Sequence, residues 1–97
     1  MNPSLANLMT AIASLQDPAE AQAFFADLCT PAELTALADR WKVAQLLDQG
    51  LPYRTIYART GVSTATVTRV ARALSHGEGG YRAVLRRPQR PTETDDA

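Results

Sequence analysis

The feature that most constrains this chain is the segment Thr30-Pro31-Ala32-Glu33 and the long apolar stretch it opens. The Thr30 hydroxyl can accept from the Glu33 amide while the Glu33 carboxylate reaches back to the Thr30 N–H, a reciprocal cap that starts a helix; Pro31 brings a helical φ to its first position. Nothing interrupts that helix until about Gln49, where Gly50 offers the left-handed residue that ends it. Leu34, Leu37, Ala38, Trp41, Val43, Ala44, Leu46 and Leu47 occupy far more than one narrow stripe of the rod. It therefore has to be covered on several sides, with Trp41 in the core. A chain of 97 residues has room for one compact domain, expected over residues 1–87. The remaining helices are too short to cover this rod and also bury Phe24 and Phe25, so a second copy of the chain is expected to complete the core as a two-fold homodimer.

The other segments also follow a helical period. Residues 3–15 begin with Pro3 in the first turn and repeat apolar side chains at Leu5, Leu8, Met9, Ile12 and Leu15. Asp17 can cap a short second helix with Pro18 at its first position, Glu20 three residues after the cap, and Phe24, Phe25 and Leu28 on its apolar side. Val and Ile never alternate with polar residues over residues 1–75, so no strand is expected and the fold class is all-α. The stretch from Pro88 onward, PQRPTETDDA, has the composition of a disordered tail over residues 88–97.

Several functions are excluded early. No apolar run approaches the ~20 residues of a membrane helix, and the opening MNPSLANLMT lacks the basic start of a secretory signal, so no membrane partner and a cytoplasmic location are expected. Cys29 is the only cysteine, which leaves no disulfide or cysteine zinc site within one chain, and no metal is expected. The single histidine, His76, lies 47 positions away in an unrelated segment, so no catalytic constellation forms and no enzyme is expected. Nine of the ten basic residues are arginine, a usage that points to a GC-rich bacterial genome.

The net charge of zero conceals a division along the chain. Asp17, Glu20, Asp27, Glu33, Asp39 and Asp48 against Arg40 and Lys42 leave residues 1–50 at −4. Eight arginines against Glu78 leave residues 51–90 at +7, and three acids follow. A basic block beside an acidic body is the distribution expected where one face meets phosphates.

Within that block, residues 53–74 read YRTIYARTGVSTATVTRVARAL. A first helix from Tyr53 to about Arg59 is broken at Thr60-Gly61-Val62, where glycine permits the positive φ of a sharp reversal, and Ser63 can cap a second helix. Ile56, Val62, Val67, Val70 and Leu74 are spaced to close on one small core, which turns Ala65, Thr68, Arg69 and Arg72 outward at about 100° per residue. Small residues let a helix sit deep in a major groove, Thr reaches base edges, and Arg reads guanine or grips phosphate. Double-stranded DNA is thus the expected partner. Ser63, Thr64, Thr68 and Arg69 are assigned to sequence preference, with Ala65 allowing close approach; Arg54, Arg59 and Arg72 are assigned to phosphates. Tyr57 either reaches a phosphate with its hydroxyl or packs.

FFADLCTPAEL, ADRWKVAQLLDQG, TGVSTATVTRV and GEGGY, spread from Phe24 to Tyr81, together resemble the Trp repressor-like family in its YerC/YecD-type branch. The resemblance implies a Trp repressor-like helical bundle, an intertwined homodimer, and operator binding through the helix after the glycine turn. It also implies a candidate effector pair, because the two arginines that hold the corepressor in tryptophan-responsive members match Arg40 and Arg69. The small glycine after the second of them is Val70 in this chain, which fills space an indole ring needs. No cofactor is therefore expected, and a corepressor such as tryptophan is disfavoured.

Two rivals remain. Helix-turn-helix folds also serve as protein-interaction adaptors, but an adaptor has no need of Arg54, Arg59, Arg69 and Arg72 within one short element. RNA recognition usually brings aromatic stacking platforms, and Tyr53, Tyr57 and Tyr81 are the only aromatics of the basic half.

Overall fold

In a computed structural model, residues 1–88 are described. They form six helices: α1 (Pro3–Ala13), α2 (Pro18–Leu28), α3 (Pro31–Asp48), α4 (Tyr53–Thr60), α5 (Thr64–His76) and α6 (Gly80–Leu85). Among the described residues there is no strand. The expected tail at 88–97 lies, Pro88 excepted, outside them. The chain parts into two compact units, Met1–Leu37 and the residues from Ala38 onward, with α3 beginning in the first and continuing through the second.

The first unit is defined by its caps. Asn2 Oδ1 accepts from the Leu5 N–H at 2.8 Å, which fixes the start of α1 ahead of Pro3. That helix ends at Ala13 rather than Leu15, because the Ser14 hydroxyl and amide both donate to the Ala11 carbonyl and tighten the last turn. At α2, Asp17 Oδ1 accepts from the Glu20 N–H at 2.8 Å, and the Glu20 carboxylate accepts from Gln16, one residue before the cap. The Thr30 and Glu33 bonds of the third start signal are reciprocal, at 2.8 and 3.1 Å. Phe24 and Phe25 meet edge to face with centroids 5.7 Å apart. No residue of Met1–Leu37 is fully buried, and Leu5, Met9, Leu28 and Leu37 each keep more than two fifths of their surface exposed.

The second unit has a core of Val43, Ala44 and Leu46 from α3, Ile56 from α4, and Val67 and Val70 from α5. The end of α3 sets the direction of the chain into that core. Gly50, at φ +86°, donates to Leu47 O, and Leu51 donates to Leu46 O, the paired bonds of a Schellman ending in which the C″ residue turns back toward C3. Leu51 accordingly packs against the cluster that contains Leu46.

Trp41 and α6 differ from the sequence reading. Trp41 is half-buried at the margin of the core, its ring stacked on Tyr81 of α6 at 6.3 Å and 18°. Helix α6 was not anticipated, since six residues opening on Gly80 have too little length for an apolar period to register. It is tied to α5 by Arg82, whose Nε donates to the Leu74 carbonyl at 2.7 Å.

Candidate nucleic-acid interface

Helices α4 and α5 are joined by three residues, and hydrogen bonds hold the reversal at both ends. Gly61 adopts φ +70° and donates to Tyr57 O at 2.9 Å, closing α4. A side chain in that region of the map costs roughly 1–2 kcal/mol, which glycine avoids. The Thr60 hydroxyl donates to Ile56 O at 2.7 Å and accepts from the Val62 N–H at 3.1 Å, so it spans the turn from inside. Ser63 Oγ then accepts from the Thr66 N–H at 3.2 Å and donates to Thr66 Oγ1 at 3.0 Å, starting α5. Sequence reasoning found Gly61 and Ser63. It passed over Thr60, although a Thr just before the turn glycine is the available signal.

Burial separates the two sides of α5. Val67 and Val70 are fully buried, Ala71 and Leu74 half-buried, while Ser63, Thr64, Ala65, Thr68, Arg69 and Arg72 are exposed. The outward set is not scattered: Thr64, Ala65, Thr68, Arg69 and Arg72 line one open cleft of about 560 Å³. Arg54 and Arg59 are exposed on α4, outside that lining. Tyr57 is half-buried and packs against the core, the second of the two roles considered for it.

The two members of the candidate effector pair lie on different helices. Arg69 lines the cleft on α5, whereas Arg40 is half-buried on α3 and is absent from the lining. Val70, next to Arg69, is 1% exposed and fills its share of the core. Among the described residues no group of three His, Cys, Asp or Glu is arranged to hold a metal ion, and no helix is long and apolar enough to cross a membrane.

A short helix, a glycine reversal and a capped second helix with one buried and one cationic, hydroxyl-rich side define a helix-turn-helix of the kind regulators use, here among described residues whose regular elements are all helices. The chain belongs to the Trp repressor family, with residues 3–89 matching the Trp repressor protein description. It is 43% identical over 93 residues to the uncharacterized protein YerC of Bacillus subtilis (strain 168), spanning 96% of this chain and 88% of YerC. The fold is shared with a crystal structure of a Trp repressor candidate from Staphylococcus aureus, at a TM-score of 0.83 and 40% identity over 88% of this chain and 85% of that one. A TrpR-like protein from Eubacterium eligens gives a TM-score of 0.82 at 42% identity, with 87% of each chain covered. The all-helical, Trp repressor-like fold expected from the sequence is thereby established, and the family is one of regulators rather than enzymes.

Proposed function

We propose that this protein is a cytoplasmic, homodimeric transcription regulator that binds a near-palindromic DNA operator and represses from it, without tryptophan as corepressor. The observation that carries the reading is the cleft formed by Thr64, Ala65, Thr68, Arg69 and Arg72 on the side of α5 opposite Val67 and Val70. Hydroxyls and guanidinium groups flank a methyl-sized residue there, a combination that admits a helix to the major groove and offers donors to base edges and phosphates. Dimerisation is supported by the apolar side chains left open in both units, among them Leu5, Met9, Leu28, Leu37 and Val84. Repression is the mode carried by the family's name. The disfavoured corepressor rests on Val70, which takes the position of the small glycine of tryptophan-responsive members and is buried in the core.

Thr64, Thr68, Arg69 and the cap Ser63 supply sequence preference in this reading, Ala65 permits approach, and Arg54, Arg59 and Arg72 hold phosphates. Binding selection on random duplexes should return a two-fold motif with half-sites about one helical turn, ~34 Å, apart. Thr68→Ala or Arg69→Ala should narrow the gap between operator and random DNA by ~1–3 kcal/mol. Arg54→Ala or Arg59→Ala should weaken all duplexes alike and lower the salt slope by about one for each lost contact. Selection without a two-fold motif, together with alanine variants that bind like the parent, hands the chain to the adaptor reading. Calorimetry that finds saturable L-tryptophan binding overturns the claim about Val70.

A further inference from the structure

The arginines of the outward cleft on α5 stand there without an acid. Thr64, Ala65, Thr68, Arg69 and Arg72 line it, and no carboxylate is among them. Among the described residues neither Arg69 nor Arg72 makes a hydrogen bond or an ion pair, whereas Arg82 is held on the Leu74 carbonyl. Acids follow farther along the chain. Residues 91–97, PTETDDA, carry Glu93, Asp95 and Asp96 and no base. The cationic cleft and this acidic run are complementary in charge, and no role assigned so far uses the run.

We propose that Glu93, Asp95 and Asp96 occupy this cleft when DNA is absent, so that the end of the chain competes with the operator for Arg69 and Arg72 of its own subunit. The proposal rests on the DNA-binding reading above and adds a regulation of the same site. Chain length permits it. Helix α6 is fastened beside the last turns of α5, because Arg82 bonds the Leu74 carbonyl and Val84 shares a cleft with Ala73. Arg72 directly precedes Ala73, and Arg69 lies ~6 Å back along the axis at ~1.5 Å per residue, on a helix ~10–12 Å across. Glu93 is nine residues beyond Val84 and Asp96 twelve. At ~3.3–3.6 Å per residue the chain can span up to ~30 Å to the first and ~40 Å to the second, more than the path around α5 requires.

The chemistry makes the carboxylates stand-ins for phosphate. A carboxylate offers a guanidinium two acceptor oxygens, as a phosphodiester does, and can take both of its parallel N–H groups. Each such pair is weak at an exposed site and is screened by salt. Tethering offsets that weakness, since a short linker holds the acids at an effective concentration on the order of millimolar. The contact is therefore strong enough to occupy the cleft and weak enough for a duplex that engages both half-sites to displace it. Arg72 is needed on any duplex, so the cost of displacement falls on operator and random DNA alike.

The test uses the full chain and two readouts. In the first, a nitroxide is attached at Ala97→Cys in a Cys29→Ser background, and the amide signals of the free protein are followed by NMR. Thr64, Thr68, Arg69 and Arg72 should broaden at low salt and recover in ~1 M salt, when operator DNA is added, or when Glu93→Gln, Asp95→Asn and Asp96→Asn are combined in the labelled chain. In the second, the same triple neutralisation in the otherwise native chain should tighten binding to operator and random duplexes alike, by about fivefold, and steepen the salt slope. Broadening that is absent, or equal in the neutralised chain, overturns the contact while operator binding leaves the DNA reading standing; a gain in affinity without broadening is then an effect of net charge alone. Broadening seen only between a labelled copy and an unlabelled one assigns the cleft to the second copy's acids and also overturns the proposal. Broadening in a protein that binds no duplex removes the DNA reading, and with it the competition. If Cys29→Ser disturbs folding, the shifts of the Thr68 and Arg69 amides between the parent and the neutralised chain decide, and identical positions overturn the contact.

Discussion

Across Met1–Leu37 three helix starts each carry a side-chain cap yet no side chain is buried, while from Ala38 onward α4 begins at Pro52 without a side-chain cap and six residues are removed from water. The contrast separates two ways of specifying a helix. Hydrogen bonds at a cap act over three or four residues and need nothing beyond the local sequence, so they form whether or not the helix has a core to join. Burial needs partners distant in sequence. The helix-turn-helix has them within one chain, since Ile56, Val67 and Val70 close against Val43, Ala44 and Leu46. The first unit presents Leu5, Met9 and Leu28 to solvent instead.

Removing a core contact should break the contrast most sharply. Ile56 is fully buried and the largest such side chain in the second unit. Ile56→Ala should destabilise the helix-turn-helix by ~2–5 kcal/mol, measured by denaturant unfolding, because it leaves a cavity among residues that cannot all relax. A loss below ~1 kcal/mol would mean that the small core collapses around the gap. The first unit should respond through assembly. Leu5→Ser with Met9→Ser should leave the helical signal of dilute protein nearly unchanged while raising the dimer dissociation constant about tenfold or more, as read by sedimentation over a concentration series. Full helicity loss at all concentrations would instead place these residues in the subunit's own core.

The same contrast accounts for what could be read from the sequence. Capping signals are local, and Asp17, Thr30 and Ser63 each cap the helix expected of them, with Glu33 completing the box. The inward set of α5 was legible because a 3.6-residue period fixes which side Val67 and Val70 share. What the period could not give was the depth of burial: Trp41 reads as core by residue type, but its place at the margin depends on Tyr81, forty positions later. Helix α6 was lost for the same reason, since Tyr81 and Arg82 acquire meaning only through Trp41 and the Leu74 carbonyl. The outward cleft was legible as a list of residues on one helix.

A smaller effect sharpens the local side of the contrast. Thr30→Ala removes the acceptor of the Glu33 amide and leaves the Glu33 carboxylate bond to the Thr30 N–H in place. The cost should be ~1 kcal/mol, and hydrogen exchange should locate it in the first turn of α3 with no change in protection around Ile56. Faster exchange throughout the second unit would show that the start of α3 and the core form one cooperative block.

The smallest expected effect lies where local bonding and burial meet, at Thr60. Its hydroxyl is part-buried and carries two bonds at once, donating to Ile56 O and accepting from the Val62 N–H. Thr60→Val keeps the shape of the side chain and removes both. Ile56 O can still take part in the helix, so the main loss is the Val62 N–H, which sits close enough to the surface for water to replace part of the bond. The net cost should therefore be about 0.5–1 kcal/mol, at the low end for an intramolecular hydrogen bond. Its consequence for binding should exceed its consequence for stability, because the turn sets the angle at which α5 leaves α4 and every residue of the outward cleft moves with that angle. Operator affinity should fall several-fold while affinity for random DNA changes less, since base contacts depend on position more strictly than phosphate contacts do. Equal losses on both duplexes would assign Thr60 to general stability, and the angle of the turn would then rest on Gly61 and the packing of Ile56 against Val67 and Val70.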